Sequence, residues 1–128
     1  METIELEKSI VNINDGVIHI HLKSGQEIEL SDAVFIVEAM GKLSEGKKCP
    51  ILIDAGEFSS VDKEARIFSA AAESNLYTLA DAIAYCNLAQ KLLANFYIKY
   101  NKPSVPTRVF PTKEEALDWL KTFLPSKT

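Results

Sequence analysis

A short run of apolar residues at positions 51–53, Ile-Leu-Ile, constrains the fold of this chain more than any other feature. It follows Pro50 and lies between two stretches whose apolar residues recur at helical spacing. A strand with apolar side chains on both faces is covered on both faces, as in parallel sheets that carry helices on each side. We therefore expect an α/β fold with residues 51–53 near the centre of a mixed sheet.

The first thirty residues show strand patterns. Residues 4–13 alternate loosely between apolar and polar, and residues 17–22 are rich in β-branched side chains. The Asn-Asp-Gly sequence at positions 14–16 is a strong turn signal, so the two runs predict an antiparallel hairpin. A second turn signal, Ser-Gly at positions 24–25, precedes residues 27–30, whose alternation predicts a short third strand.

Two helices are predicted on either side of the central strand. Ser31 or Asp32 can cap the first, and Gly46 is placed to end it, because glycine readily adopts the left-handed conformation. The second begins near Ser60 or Asp62. Their apolar stripes are Ala33, Ile36, Val37, Met40 and Leu43 in the first helix, and Ala65, Phe68, Ala72 and Leu76 in the second.

Residues 79–86 can be interpreted in two ways. Their alanines favour a helix, whereas their length and position favour another buried strand. Asn87 and Gln90 form a capping pair, which would start a third helix and end a strand at Cys86. The predicted buried face of that helix is Leu88, Ala89, Leu92, Leu93 and Phe96, with Gln90, Lys91, Asn95 and Lys99 facing water.

Two prolines, Pro103 and Pro106, then interrupt the chain and leave residues 107–110 as a last short strand. Thr112 and Glu115 form a capping box that starts a fourth helix. Its apolar stripe is Ala116, Leu117, Leu120, Phe123 and Leu124. The whole pattern predicts one domain over residues 1–128, with an N-terminal hairpin leading into a sheet of about five strands and about four helices.

Composition limits the class of protein. A chain of 128 residues can build a core without metal or disulfide support, and its net charge of −4 argues against nucleic-acid binding. No stretch approaches the ~18 apolar residues that a transmembrane helix needs, and the acidic N-terminus is unlike a signal peptide. Cys49 and Cys86 are too far apart in sequence for a CxxC motif, so we expect free thiols and a cytoplasmic location.

Two stretches of the sequence carry a family resemblance. One is residues 51–54, which lead through a loop to Val61 and Asp62 at a helix start; the other is residues 107–120, Thr-Arg-Val-Phe-Pro-Thr-Lys-Glu-Glu-Ala-Leu-Asp-Trp-Leu. With the order of elements, they resemble the STAS/SpoIIAA-like fold of anti-sigma-factor antagonists. The second stretch is similar to the ending of small bacterial SpoIIAA-like proteins, sometimes grouped with SEC14-type domains.

The resemblance implies a function. SpoIIAA-like relatives suggest a non-enzymatic regulatory or interaction module that binds a protein partner. The SEC14-type relation suggests the alternative, a binding protein for a small apolar or lipid-like ligand.

One position departs from the family pattern. In the sporulation-type antagonists, a serine directly after an aspartate at the start of the second helix accepts a phosphoryl group. Here the aspartate corresponds to Asp62 and the acceptor to Lys63, which cannot accept that group. The chain therefore lacks the family's phosphoacceptor serine. Ser59 and Ser60 lie nearby, although the match does not place them at the acceptor position.

The candidate partner or ligand surface is Asp54, Ser59, Ser60, Asp62 and Lys63. These residues lie where a buried strand ends and a helix begins. Ligands gather at the carboxyl edge of parallel strands, and helix N-termini favour anions. The competing interpretation, which we favour, is that Ser60 and Asp62 only cap the helix.

Other polar residues give weaker signals. His19 and His21 share one face of a predicted strand, but no third ligand at suitable spacing supports a metal site. The sequence contains no catalytic triad order, P-loop, dinucleotide motif or HExxH motif, so we expect neither catalysis nor a cofactor.

Two further features concern partners. A local positive cluster could face an acidic partner or a lipid headgroup, although a solvated surface is the simpler interpretation. Its members are Lys99, Lys102, Arg108 and Lys113. The N-terminal hairpin supplies a sheet edge that must be covered or paired, which predicts a homodimer.

Overall fold

The computed structural model describes residues 2–125 and shows an α/β fold. Six strands form the main sheet in the order β1-β2-β3-β5-β7-β8, and β4 and β6 form a separate pair. The strands are β1 (Glu2–Glu5), β2 (Ser9–Asn14), β3 (Val17–Leu22), β4 (Glu27–Ile28), β5 (Cys49–Ala55), β6 (Ser60–Val61), β7 (Thr78–Ala84) and β8 (Thr107–Phe110). The helices are α1 (Leu30–Ser44), α2 (Lys63–Ala70), α3 (Leu88–Phe96) and α4 (Lys113–Lys121), with a 3₁₀ turn at Ala72–Ser74 and a π-helical turn at Tyr97–Asn101.

The sheet is mixed, and its centre is parallel. β1, β2 and β3 form an antiparallel meander, whereas β3, β5, β7 and β8 run parallel. Strand β5 contains the apolar run at 51–53, has a parallel neighbour on each side and is covered on both faces. The prediction of a central strand buried on both faces is confirmed.

Each face of the sheet has its own core. On one face, α1 covers side chains such as Ile18, Ile20 and Ile51. On the other, α4 packs through Ala116 and Leu120. The partners of α4 in the sheet are Val17, Leu52, Ala80, Ala82, Ala84 and Phe110. Burial of both faces explains why so small a chain contains helices on both sides of one sheet.

The N-terminal prediction needs correction in its details. Residues 4–13 form two strands, β1 and β2, because the chain turns at Leu6–Ser9, where the Leu6 amide donates to the Ser9 carbonyl. This turn raises the main sheet to six strands. Strand β1 covers β2, so the free edges are β1 and β8. The predicted third strand is reduced to β4, and it pairs with β6 outside the main sheet.

Helix starts follow the predicted capping chemistry at three of four positions. Asp62, Asn87 and Thr112 cap α2, α3 and α4 by accepting from the amide three residues later. The prediction for α1 was wrong by two or three residues: its N-cap is Glu29, and the Asp32 carboxylate accepts from the Glu29 amide. In such a capping box the N-cap residue and the residue three positions later each accept from the other's amide, and a carboxylate can accept at either position.

Glycine at position 41 lies within α1 for a packing reason. A Cβ atom there would lie 2.7 Å from Cε2 of Tyr77, closer than nonbonded carbon atoms come. Tyr77 therefore packs on a helix surface from which the side chain is missing. Helix α1 ends as expected, with Gly46 at φ +80° and its amide bonded to the Gly41 carbonyl.

The ambiguous segment forms strand β7, Thr78–Ala84, and its alanines face α4. Helix α2, in contrast, is shorter than predicted. It ends at Ala70, so Ala72 lies in the 3₁₀ turn and Leu76 is exposed.

The predicted buried face of α3 was wrong. Leu88 and Leu92 are 68% and 60% exposed, and Ala94 is the residue of this helix that is buried. Gln90, expected to face water, instead donates to the carbonyls of Ala55 and Gly56.

Truncation of Leu120 should destabilise the protein strongly. Leu120 is fully buried between α4 and the sheet, so Leu120→Ala should lower the free energy of unfolding by about 2–5 kcal/mol. Urea denaturation measures the loss. Asp118→Ala, on the exposed side of the same helix, is the control and should change stability by less than about 0.5 kcal/mol. Equal effects of the two changes would contradict the docking of α4.

Candidate functional site

A cavity of about 770 Å³ lies between the sheet and the helices on the α1 side. Its walls are mainly apolar, and most of their side chains come from strands β3, β5 and β7, from α1, and from α3 with the π-helical turn. The principal apolar residues are Ile20, Ile53, Ile83, Ile36, Met40, Leu93, Ala94 and Phe96. The volume falls within the range of pockets that hold small organic ligands, roughly 300–1,000 Å³.

Strand alternation aims one carboxyl group into this cavity. In β7, Ala80 and Ala82 face α4, so Asp81 between them points to the opposite face, where it lines the cavity. Asp81 is only 8% exposed. Burial raises the pKa of Asp81 to about 7, because a charged carboxylate is poorly solvated there.

Tyr97 and Arg66 are among the other polar residues that line the same cavity. Burial and the charge of Asp81 raise the pKa of the Tyr97 phenol above its ordinary value. Arg66 of α2 donates from Nη1 to the Val61 carbonyl at 2.6 Å, and its guanidinium carbon lies 5.8 Å from the centre of the Phe96 ring. These contacts fix the Arg66 side chain against β6 and α3.

The five predicted site residues all contribute to the lining of this cavity, but they have different roles. Asp62 caps α2 through a 2.8 Å bond from the Ala65 amide, in agreement with the capping interpretation. The Ser59 hydroxyl donates to the Gly56 carbonyl at 2.7 Å. Ser60 lies in β6, where its amide pairs with the Gln26 carbonyl, and both Ser60 and Lys63 are exposed. The carboxylate of Asp54 bonds on the opposite side of the sheet.

That carboxylate is the centre of a polar cluster beside the start of α4. His19 Nε2 lies 2.8 Å from one oxygen of Asp54, and Lys113 Nζ lies 3.0 Å from the same oxygen. His21 Nδ1 contacts the other oxygen. Burial alone would raise the pKa of Asp54, but the bonds from His19, His21 and Lys113 outweigh it and hold the pKa well below its usual range.

The two histidines share a face, as predicted, because they are two residues apart in β3. One ring nitrogen of each histidine contacts Asp54, and His21 lies opposite Asp54 in the strand register. Within residues 2–125 no group of three or more His, Cys, Asp or Glu side chains is arranged to hold a metal ion. We interpret the cluster as a structural support that joins β3, β5 and α4.

Asp81, Tyr97 and Arg66 were not identified from the sequence. A signal for Asp81 was available, since it is the lone charged residue in the otherwise apolar segment 79–84. A charged residue at a strand position whose neighbours on the same face are apolar indicates a buried polar group. The sequence offered no comparable signal for Tyr97, whose place in a π-helical turn depends on the packing of α3.

The order of strands and helices is that of a SpoIIAA-like α/β fold. A crystal structure of an uncharacterized protein of the DUF3478 family with a SpoIIAA-like fold, from Shewanella loihica PV-4, matches with a TM-score of 0.52. The two are 18% identical, and the match covers 88% of this chain and 91% of the other. This likeness shows the fold, as the sequence predicted.

The chain belongs to the family described as Domain of unknown function (DUF7793), whose model matches residues 11–124. No curated protein matches the sequence. Among the described residues, none of the helices is both long enough and apolar enough to cross a membrane. Nothing in these comparisons points to catalysis.

Replacing Asp54 should change how stability depends on pH. A carboxyl whose pKa is lowered by folding stabilises the protein above its unfolded pKa, near 4, and this contribution is lost as pH falls further. Asp54→Asn should therefore lower the unfolding free energy by about 2–3 kcal/mol at pH 7, where charged hydrogen bonds are lost. The difference from wild type should shrink as pH falls below about 4.

Urea denaturation between pH 7 and pH 2.5 tests this expectation. Exposed Asp118 provides the control, because Asp118→Asn should leave the pH profile unchanged. A wild-type advantage over Asp54→Asn that stays constant down to pH 2.5 would show that the polar cluster does not depend on the charge of Asp54.

Proposed function

We propose that this protein is a non-enzymatic binding protein for a small apolar or lipid-like ligand, which occupies the cavity between the sheet and α1, α2 and α3. The observation that carries the proposal is the cavity itself, about 770 Å³ in volume and mainly apolar. Contact of this apolar lining with water is unfavourable by roughly 25 cal/mol per Å². An apolar ligand removes that cost.

The distribution of burial in α3 supports the same function. A helix in a small domain ordinarily buries several large apolar side chains, whereas α3 buries Ala94 and leaves Leu88 and Leu92 exposed. Leu93, which also lines the cavity, is 58% exposed. A ligand in the cavity would supply the apolar contacts that this wall lacks.

Filling the cavity with a side chain should abolish ligand binding. In Ala94→Phe the added ring occupies space beside Leu93 and Tyr97, so the affinity for the neutral fluorescent probe N-phenyl-1-naphthylamine should fall about tenfold or more. The matched control is Ala89→Phe, which adds the same ring at an exposed position of the same helix. It should change the affinity less than about twofold, since the ring does not reach the cavity.

Fluorescence titration measures both affinities, and circular dichroism confirms that each variant is folded. Native mass spectrometry of wild type purified from its own cells should show a retained small molecule that is missing from Ala94→Phe. Equal probe affinity in the two variants would contradict binding in the cavity.

A second candidate function is recognition of a protein partner, and the exposed face of α3 favours it. Leu88, Leu92 and Phe96 recur every four residues and so form one apolar stripe, which the rest of the domain leaves exposed. Residues 82–107, which contain this helix, carry three lysines, Lys91, Lys99 and Lys102, and no Asp or Glu, although the chain as a whole is acidic. We therefore propose a partner with an acidic rim around an apolar groove.

Regulation of such binding would not use the phosphorylated serine of the sporulation-type antagonists. Lys63 is the first residue of α2, directly after the Asp62 cap, so a fixed positive charge occupies the position of the acceptor. Recognition through this end of the domain would then be independent of a kinase. The homodimer expected from the free sheet edge stays a prediction. Strand β1 is that edge, but it carries Glu2 and Glu5, whose charges oppose edge-to-edge pairing of two copies.

Photo-cross-linking tests the partner surface. A benzophenone side chain at position 92, in the host cell, should give one discrete protein adduct whose yield falls at raised salt. Position 67 is the control, because Ile67 of α2 is 52% exposed and apolar but lies outside the α3 stripe. The same adducts from both positions would show non-specific contact and would remove α3 as the partner surface.

A further inference from the structure

The carboxyl group of Asp81 has no partner among the residues that the structure describes. It lies in the middle of β7, is more than nine-tenths buried, and lines the apolar cavity. Its backbone amide donates to the Pro106 carbonyl, but no side chain or amide within residues 2–125 donates to its carboxyl oxygens. A buried polar group without a partner costs about 1–3 kcal/mol and more if it is charged.

The immediate surroundings do not compensate for this group. Its neighbours in the sheet register are Ile51 of β5 and Thr107 of β8, and neither carries a charge. Tyr97, from the π-helical turn, adds a hydroxyl oxygen to the same cavity. Arg66, from α2, makes no ion pair with Asp81 among the described residues: its Nη1 donates to the Val61 carbonyl, and its Nε is buried without a partner there.

We propose that the polar group of the ligand is a protonated amine, and that Asp81 binds it within the apolar cavity. This inference rests on the proposed ligand-binding function and names the class of ligand. An alkylammonium group has three donors and no acceptor, whereas an ionised carboxylate accepts at about four positions. The apolar part of the ligand contacts the isoleucines and Met40 of the cavity wall.

Other head groups fit the cavity less well. A carboxylate ligand would place a second negative charge beside Asp81, in surroundings where like charges repel strongly. An alcohol can donate one hydrogen bond, but it leaves the ionised form of Asp81 without a counter-charge. An amine supplies both the donors and the charge, which is the condition for burying a carboxylate at low cost.

Head-group selectivity tests the proposal with probes of one chain length. Isothermal titration with decylamine, decanol and decanoate should show that wild type binds decylamine about tenfold to a hundredfold more tightly than the other two. Asp81→Asn keeps the size of the side chain and removes its charge. It should lose that preference for decylamine while its affinity for decanol changes less than about threefold.

The pH dependence adds a second readout. Decylamine stays protonated up to pH 9, so its affinity reports the ionisation of Asp81, whose pKa burial raises to about 7. Because only the ionised fraction binds the amine, affinity should rise about tenfold from pH 6 to pH 8. Asp81→Asn should show no such rise. The other titratable or charged side chains that line the cavity are unchanged in this variant, so they contribute equally to both pH profiles: Glu27, Asp54, Asp62, Lys63, Arg66 and Tyr97.

The outcomes separate the two proposals. Equal affinity of wild type for all three probes, or tighter binding of decanoate, would overturn the assignment of Asp81 while leaving the cavity as a ligand site. Failure of all three probes and of N-phenyl-1-naphthylamine to bind would instead overturn the proposed function. An amine preference that persists in Asp81→Asn would show that another group recognises the amine.

Discussion

The close packing of α4 on the alanines of β7 is the contact on which the arrangement of this protein depends. Ala80, Ala82 and Ala84 occupy alternate positions on one face of the strand, and Ala116 of α4 packs against the same cluster. Small side chains on both elements let the helix and the sheet approach closely. Because protein interiors are densely packed, the size of the side chains at this contact sets how closely they approach. The layer of side chains between α4 and the sheet is therefore closely packed.

The opposite face of β7 is not closely packed but borders the cavity. Asp81 and Ile83 alternate with the alanines and line the cavity on the α1 side. There α1 covers β2 and β3, while the region over β7 is left to α3 and the π-helical turn, neither of which fully buries a large side chain. The cavity is thus a consequence of unequal coverage of the two faces, and β7 places an acid in it.

Much of this arrangement could be predicted from the sequence, because its signals are local. The run at 51–53 fixes the central strand, and the caps at Asp62, Asn87 and Thr112 act within four residues of chain. The burial of α3 could not be predicted in the same way. An apolar stripe shows that a helix has an apolar face, but whether that face meets the sheet or solvent depends on the rest of the fold.

The candidate site shows the same limit. Asp54 was identified from its position at the end of β5, yet its partners, His19, His21 and Lys113, come from two other elements that only the folded sheet brings together. Asp81 was missed because residues 79–86 fit both a helix and a strand. Its direction into the cavity follows only once the strand is established, since alternation then opposes it to the alanines.

Helix α3 joins the two proposed functions physically. Its inner side, through Leu93 and Ala94, walls the cavity, and its outer side presents Leu88 and Leu92 to solvent. A ligand that orders this helix from within also fixes the surface that a partner would contact. Because such coupling is reciprocal in equilibrium binding, a partner on the outer face would strengthen retention of the ligand by the same factor. The two proposed functions would therefore use opposite sides of one weakly packed helix.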